Sequence, residues 1–243
     1  MSNQEYIKKD STNNTVILLI HGFLGKPEHF EKFIPAIPDE YAIYNIILDG
    51  HGKNLSDFSR SSMKKWKKQI ESILAELTIH YKQILIVAHS MGTLFALDAA
   101  IKYKTHIKSI FLLAVPLRVQ LSFSAIKNAI KVVFNRYEDD EIALAFKNSC
   151  GVTLTYNPID YLRCIPRYLE LFCESRRIRK SITDVNVPVF AFQSAKDELV
   201  SRKSEKYIKK NDKIILSVLE KSRHFLYNKE DMEYLLENFR NLL

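Results

Sequence analysis

The segment Ala88-His89-Ser90-Met91-Gly92 places a serine where an apolar, β-branched run gives way to a helical pattern. A strand-to-helix turn that tight holds a hydroxyl clear of the backbone, as a nucleophile elbow does. Serine oxygen becomes a useful nucleophile only when a base takes its proton and fixed donors receive the oxyanion it generates. Ser90 N-capping an ordinary helix is the alternative. The partners decide between them, and in this architecture they follow the serine in the order acid, then histidine. Of seven histidines only His106 and His224 come after Ser90, and His106 has no acid before it except Asp98 inside a helical pattern. His224 follows the apolar run 214–219, and Asp197 follows the apolar run 187–193. Both therefore stand at carboxyl ends of strands, with Ser90. In these roles His224 accepts the Ser90 proton, and Asp197 fixes the imidazole tautomer and stabilises its cation. Glu198 is the rival acid; the shorter Asp197 is preferred for holding an imidazole from a strand-end turn.

His21-Gly22-Phe23-Leu24-Gly25 closes the first apolar run. Gly22 lets backbone approach a substrate, and the Phe23 N–H is expected to share an oxyanion with that of Met91. A tight turn with no role is the alternative. Gly22, Leu24 and His89 are the expected substrate contacts. His21 is read as a structural hydrogen-bonder. Asp49-Gly50-His51-Gly52, at the end of the second run, is read as pocket wall. The chain holds six glycines, and only Gly151 lies away from a strand end.

These residues must be positioned by elements that the hydrophobic pattern outlines. Continuous Val/Ile/Leu/Phe runs at 16–20, 43–48, 84–88, 109–115, 187–193 and 214–219 read as parallel strands buried on both faces. Helical patterns at 28–37, 63–81, 93–103, 201–209 and 229–243 alternate with them. The expected fold is α/β, a mostly parallel sheet of about six strands with helices on both sides. The segment 116–183 lacks a buried strand, and helical patterns fit 123–134, 140–148 and 159–179, with Pro166 expected to start or kink the last. The expected organisation is a core of 1–115 and 184–243 with a helical cap inserted at 116–183.

Composition closes off other classes. With 243 residues, 47% of them hydrophobic, the chain can bury one sizeable core. No apolar run approaches a membrane span, and the polar residues 1–14 lack the apolar centre of a secretory signal. Three cysteines without CxxC spacing suggest reduced thiols in the cytoplasm and no zinc site. The net charge of +8 is spread along helical patterns. No motif of nucleic-acid recognition accompanies it, so nucleic acid is not expected as a partner. No cofactor or metal is called for, and nothing fixes the oligomeric state.

The residues 21–25, 50–52, 88–92, 197–200 and His224 together resemble the α/β-hydrolase superfamily, in particular bacterial carboxylesterases and monoacylglycerol-lipase-like hydrolases. The resemblance spans nearly the whole chain except the insertion. It implies Ser90 as nucleophile, Asp197 as acid, His224 as base, and the Phe23 and Met91 N–H groups as oxyanion donors. It also implies a mobile cap at the insertion and a sheet beginning at the family's third strand. Ala88 departs from the first glycine of GxSxG, and Ala195-Lys196 replaces a glycine often found before the acid. The implied activity is cleavage of small carboxylic esters of short to medium acyl chain, or monoacylglycerol-like esters, through an acyl-enzyme. An acyltransferase or thioesterase on the same triad, or a fold that binds a ligand without turnover, are the alternatives. Aromatic and aliphatic residues of the insertion could hold an acyl chain or simply pack the cap. The cluster Arg176, Arg177, Arg179 and Lys180 could attract an anionic group or simply end a helix.

Overall fold

A computed structural model describes residues 5–9, 14–120 and 122–243. Most of the amino-terminal stretch read for a signal segment lies outside them. Six strands match the apolar runs: β2 (Thr15–Ile20), β3 (Ala42–Ile46), β4 (Gln83–His89), β5 (Ile107–Leu113), β6 (Val189–Ser194) and β7 (Ile214–Leu219). They are parallel to one another, as the right-handed strand–helix–strand rhythm requires. A seventh strand among the described residues, β1 (Tyr6–Lys8), adds to the six that the apolar runs outline. It pairs antiparallel with β3 at the sheet edge, giving the order β1-β3-β2-β4-β5-β6-β7. Three exposed or half-buried residues flanked by charge carry no hydrophobic run, so periodicity could not reveal it.

β2 shows how the sheet divides the core. Val16, Leu18 and Ile20 join one cluster with Trp66, Leu94 and Ile178, while Ile17 and Leu19 join Phe30, Phe33, Phe111 and Phe239 on the other face. Both clusters exclude water, each large side chain contributing roughly 1.5–3 kcal/mol of transfer energy. The first face carries α1 (Leu55–Ser59), α2 (Met63–His80) and α3 (Met91–Lys102). The helix expected over 28–37 is instead two 3₁₀ turns, Pro27–Phe30 and Ile34–Ala36. Pro35 and Pro38, lacking N–H groups, deny a continuous helix its bonds there.

Between β5 and β6 the chain inserts three helices, α4 (Phe123–Val133), α5 (Glu141–Ser149) and α6 (Pro158–Ser181). A short α7 (Glu205–Ile208) precedes β7, and α8 (Lys229–Arg240) follows it. α6 runs through Pro166 without ending. The Leu162 carbonyl, which would have received the missing N–H, belongs to an exposed residue. Ionic ties fasten α6 to the core: Arg177 reaches Asp98 of α3 at 2.6 Å, and Lys67 of α2 reaches Glu174 at 2.9 Å. Half of the Arg176–Lys180 cluster is thereby accounted for. Arg177 holds these carboxylates, and Arg179 lies over the Tyr207 ring and donates to the Leu117 carbonyl.

Candidate active site

Ser90 sits between β4 and α3 with φ 51° and ψ −122°, a conformation that L-residues rarely adopt. It persists because the surroundings over-determine it. Its N–H donates to the Leu113 carbonyl at 2.8 Å, and its own carbonyl accepts from the Thr93 hydroxyl at 2.7 Å and the Thr93 N–H at 2.9 Å. Gly92 lets α3 lie against β2, since a Cβ there would stand 2.3 Å from the Ile20 carbonyl oxygen and 2.7 Å from that of His21. Ala88 is fully buried in the ladder between Ile20 and Leu112, where a methyl group fits. Gly92→Ala is accordingly expected to lower stability by about 3 kcal/mol or more, because backbone must move. Urea unfolding measures this, and a loss below about 0.5 kcal/mol would contradict the close approach.

Asp197 and His224 meet across the ends of β6 and β7. The His224 Nδ1–H donates to Asp197 Oδ2 at 2.8 Å, and both side chains are almost wholly buried. The other carboxylate oxygen, Oδ1, accepts the Leu199 and Val200 N–H groups at 2.8 Å each. In the neutral ring the Nδ1–Oδ2 bond fixes the tautomer and makes Nε2 the acceptor nitrogen. Two backbone bonds stitch the loops together, Ala195 N–H to the Leu219 carbonyl at 2.9 Å and Lys196 N–H to that of Ser222 at 3.2 Å. Ser222 in turn donates to Asp231 of α8 at 2.6 Å, anchoring the histidine loop to the last helix. The His224 imidazole bonds to Asp197 and not to Glu198. The buried Oε2 of Glu198 has no hydrogen-bond partner and lies 4.0 Å from the Arg223 guanidinium. Burial, and then repulsion from Asp197, raise its carboxyl above the usual range.

The turn after β2 abuts the elbow, for a Cβ on Gly22 would stand 2.9 Å from Ser90 Cβ and 3.2 Å from His89 Nδ1. Among the described residues neither the Phe23 nor the Met91 N–H has a hydrogen-bond acceptor. Two free backbone donors beside a strained serine suit a developing oxyanion. Leu24 holds φ 55° in the same turn. His21 bonds as expected: its Nδ1 lies 2.9 Å from the Gly22 carbonyl, and its Nε2 accepts the Leu48 N–H at 3.1 Å. That pairing makes Nδ1 the protonated nitrogen. His51 packs edge-on against His21 at 4.7 Å and against Phe58 at 5.0 Å.

His29 gave no motif signal and is part of the site's wall. Its ring lies 3.8 Å from that of His89, whose Nε2–H donates to the His224 carbonyl at 3.2 Å. Burial first, and repulsion from His224 and His21 second, lower the His29 pKa to about 3. Burial lowers that of His21 to about 4 and holds His51 and His89 well below the ordinary value. Gly151, also outside the expected site, lies against the Gly22–Gly25 turn. Its one signal was being the lone glycine away from a strand end.

Among the described residues no group of three His, Cys, Asp or Glu side chains could hold a metal ion, and no helix is long and apolar enough to cross a membrane.

A parallel sheet with a serine elbow, an Asp–His pair at two later strand ends and a helical insertion defines a class of protein. The profile of the alpha/beta hydrolase fold family matches residues 15–155, and the chain belongs to that family. The chain is 31% identical over 125 residues to "Probable lysophospholipase BODYGUARD 4" of Arabidopsis thaliana, covering 47% of this chain and 28% of that protein. It is 29% identical over 101 residues to "Uncharacterized hydrolase YugF" of Bacillus subtilis (strain 168), covering 41% of this chain and 36% of that one. The matched stretch thus spans about a third or less of these relatives' length. Among solved structures, one from work on the metagenome-derived lipolytic enzymes LipS and LipT superposes with TM-score 0.73 at 18% identity, covering 99% of this chain and 98% of that one. A carboxylesterase structure from Nitrososphaera gargenis gives TM-score 0.71 at 15% identity, covering 98% and 94%. The monoacylglycerol lipase of Paleococcus ferrophilus gives 0.64 at 17%, covering 99% and 100%.

Proposed function

We propose that the protein is a serine hydrolase that cleaves carboxylic esters through an acyl-enzyme, with Ser90, His224 and Asp197 as its triad. The carrying observation is the His224–Asp197 bond at 2.8 Å beside an elbow that holds Ser90 at φ 51°. In this reading His224 Nε2 takes the Ser90 proton as Oγ bonds to the ester carbonyl carbon. The carbonyl oxygen becomes an oxyanion held by the Phe23 and Met91 N–H groups. Collapse breaks the bond to the alkoxy oxygen, which leaves with the proton from His224. Water then repeats both steps on the acyl-serine and releases the acid.

A short to medium acyl chain, or a monoacylglycerol-like ester, is the substrate we favour. Support comes from the insertion, residues 116–183, acting as a cap. Phe123 and Ile130 of α4, Phe134 just after it, and Leu162, Leu169 and Phe172 of α6 are exposed rather than packed onto the sheet. That leaves apolar surface for an acyl chain. Gly22, Leu24 and His89 are the proposed substrate contacts at the acyl carbon. The lipolytic and esterase neighbours share the fold and agree with this reading. We place the protein in the cytoplasm, on the support of its three free cysteines.

A fluorophosphonate probe is expected to label Ser90 stoichiometrically, and p-nitrophenyl esters of rising chain length to show a rate maximum at short or medium chains. An unlabelled serine and no turnover across the series would refute the reading. Added glycerol that outcompetes water for the acyl group would shift it to acyl transfer.

A further inference from the structure

The insertion touches the catalytic edge through a short strap, residues 150–153, that lies between the turns following β2 and β3. The Gly151 N–H donates to the Leu24 carbonyl at 2.7 Å, and the Gly151 carbonyl accepts the Gly52 N–H at 2.7 Å. Two residues on, the Thr153 N–H donates to the Lys53 carbonyl at 2.8 Å. Thr153 and Asn54 thereby form an isolated parallel bridge. The strap sits so close that a Cβ on Gly151 would stand 2.2 Å from the Gly25 carbonyl oxygen and 2.7 Å from Lys26 Cβ. Glycine is the residue that permits this approach.

The turn held in this way is the one that carries Phe23. Its two ends are closed by the Gly25 N–H on the Gly22 carbonyl at 3.0 Å. Leu24, next to Phe23, occupies the left-handed region at φ 55°, a conformation costly for a branched side chain and kept only where neighbours enforce it. The Gly151 N–H grips the carbonyl of that residue. A second contact from the insertion fixes the same turn, the Tyr168 ring of α6 lying 4.8 Å from the Phe23 ring. The Phe23 ring also meets that of Phe58 edge-on at 5.0 Å.

We infer that Gly151 is a positioning residue for the oxyanion turn: the insertion sets where the Phe23 N–H points, in addition to covering the site. This rests on the ester-hydrolase reading above. Donors to an oxyanion act only when preorganised, and a displacement near 1 Å is enough to forfeit most of their effect. The strap therefore bears on transition-state stabilisation and hardly at all on ground-state binding.

The test compares wild type with Gly151→Ala in p-nitrophenyl ester hydrolysis and in inhibition by a trifluoromethyl ketone, whose serine adduct carries an oxyanion. Gly151→Ala is expected to lower kcat about 10- to 100-fold with KM within about twofold. The ketone inhibition constant is expected to rise in proportion to the loss in kcat/KM, a correlation that a merely structural role would not produce. A folded variant with unchanged kcat overturns the inference, as does a lost kcat with ketone affinity intact. Should Gly151→Ala fail to fold, glycolic acid incorporated at position 151 replaces the N–H by an ester oxygen without adding a Cβ. It is expected to lower kcat about three- to tenfold, and an unchanged kcat there overturns the inference too. Wild-type turnover and Ser90 labelling report separately on the hydrolase reading, so its failure is distinguishable from failure of the strap.

Discussion

Ser90→Ala is expected to lower kcat for a p-nitrophenyl ester by about 10⁶-fold, since no other group can form the acyl intermediate. Asp197→Asn is expected to cost about 10⁴-fold, because an amide can present its N–H to the ring and favour the wrong tautomer. Glu198→Gln, one residue away, is expected to change kcat by less than about threefold, since its carboxylate accepts nothing from the imidazole. The contrast follows from the geometry of one turn. Asp197 spends one oxygen on His224 and the other on two loop N–H groups, so its direction is fixed by backbone. Glu198 is buried beside it with Oε2 unpartnered. Steady-state kinetics of the three variants decide the matter, with circular dichroism to verify folding. Equal losses in the Asp197 and Glu198 variants would show that the acid is misassigned.

Acid is expected to destabilise the fold steeply below pH 6.5, well before carboxylates titrate. His21 and His29 have native pKa values lowered to about 4 and about 3, while an unfolded histidine titrates near 6.5. Above 6.5 neither state binds a proton at these sites, and stability is insensitive to them. Below 6.5 the unfolded chain takes up protons that the native rings refuse, so stability falls with pH until the native pKa is reached. At pH 5 each such histidine costs about 2 kcal/mol, a large share of the 5–15 kcal/mol typical of a domain. His51 and His89, lowered well below the ordinary value by burial, act in the same direction. Urea unfolding midpoints are expected to be flat from pH 7 to 8.5 and to drop sharply by pH 5. His29→Phe keeps a ring against His89 and removes a buried Nε2 that has no partner. It is expected to recover about 2 kcal/mol at pH 5 and little at pH 8. If its acid sensitivity equals that of wild type, burial of His29 is not the cause.

Much of the chemistry was legible because it is written in local signals. Strand ends announce themselves by the stop of an apolar run, and Ser90, Asp197 and His224 each follow one. Order along the chain then eliminated His106. β1 was invisible because a three-residue edge strand buries too little to need a pattern. The 3₁₀ turns at Pro27–Phe30 and Ile34–Ala36 were misread because their apolar spacing is helical while Pro35 forbids the helix. Pro166 does not start its helix, which begins about two turns earlier at Pro158.

By itself, the sequence determined the sheet, the elbow and the order of the three polar side chains, since each depends on residues adjacent in the chain. Tertiary structure paired the His224 ring with Asp197 and not Glu198, set His29 against His89, and laid Gly151 on the Gly22–Gly25 turn. Those outcomes turn on distances of a few tenths of an ångström between segments far apart in sequence. Hydrophobic periodicity specifies which face of an element is buried; only packing specifies what it is buried against.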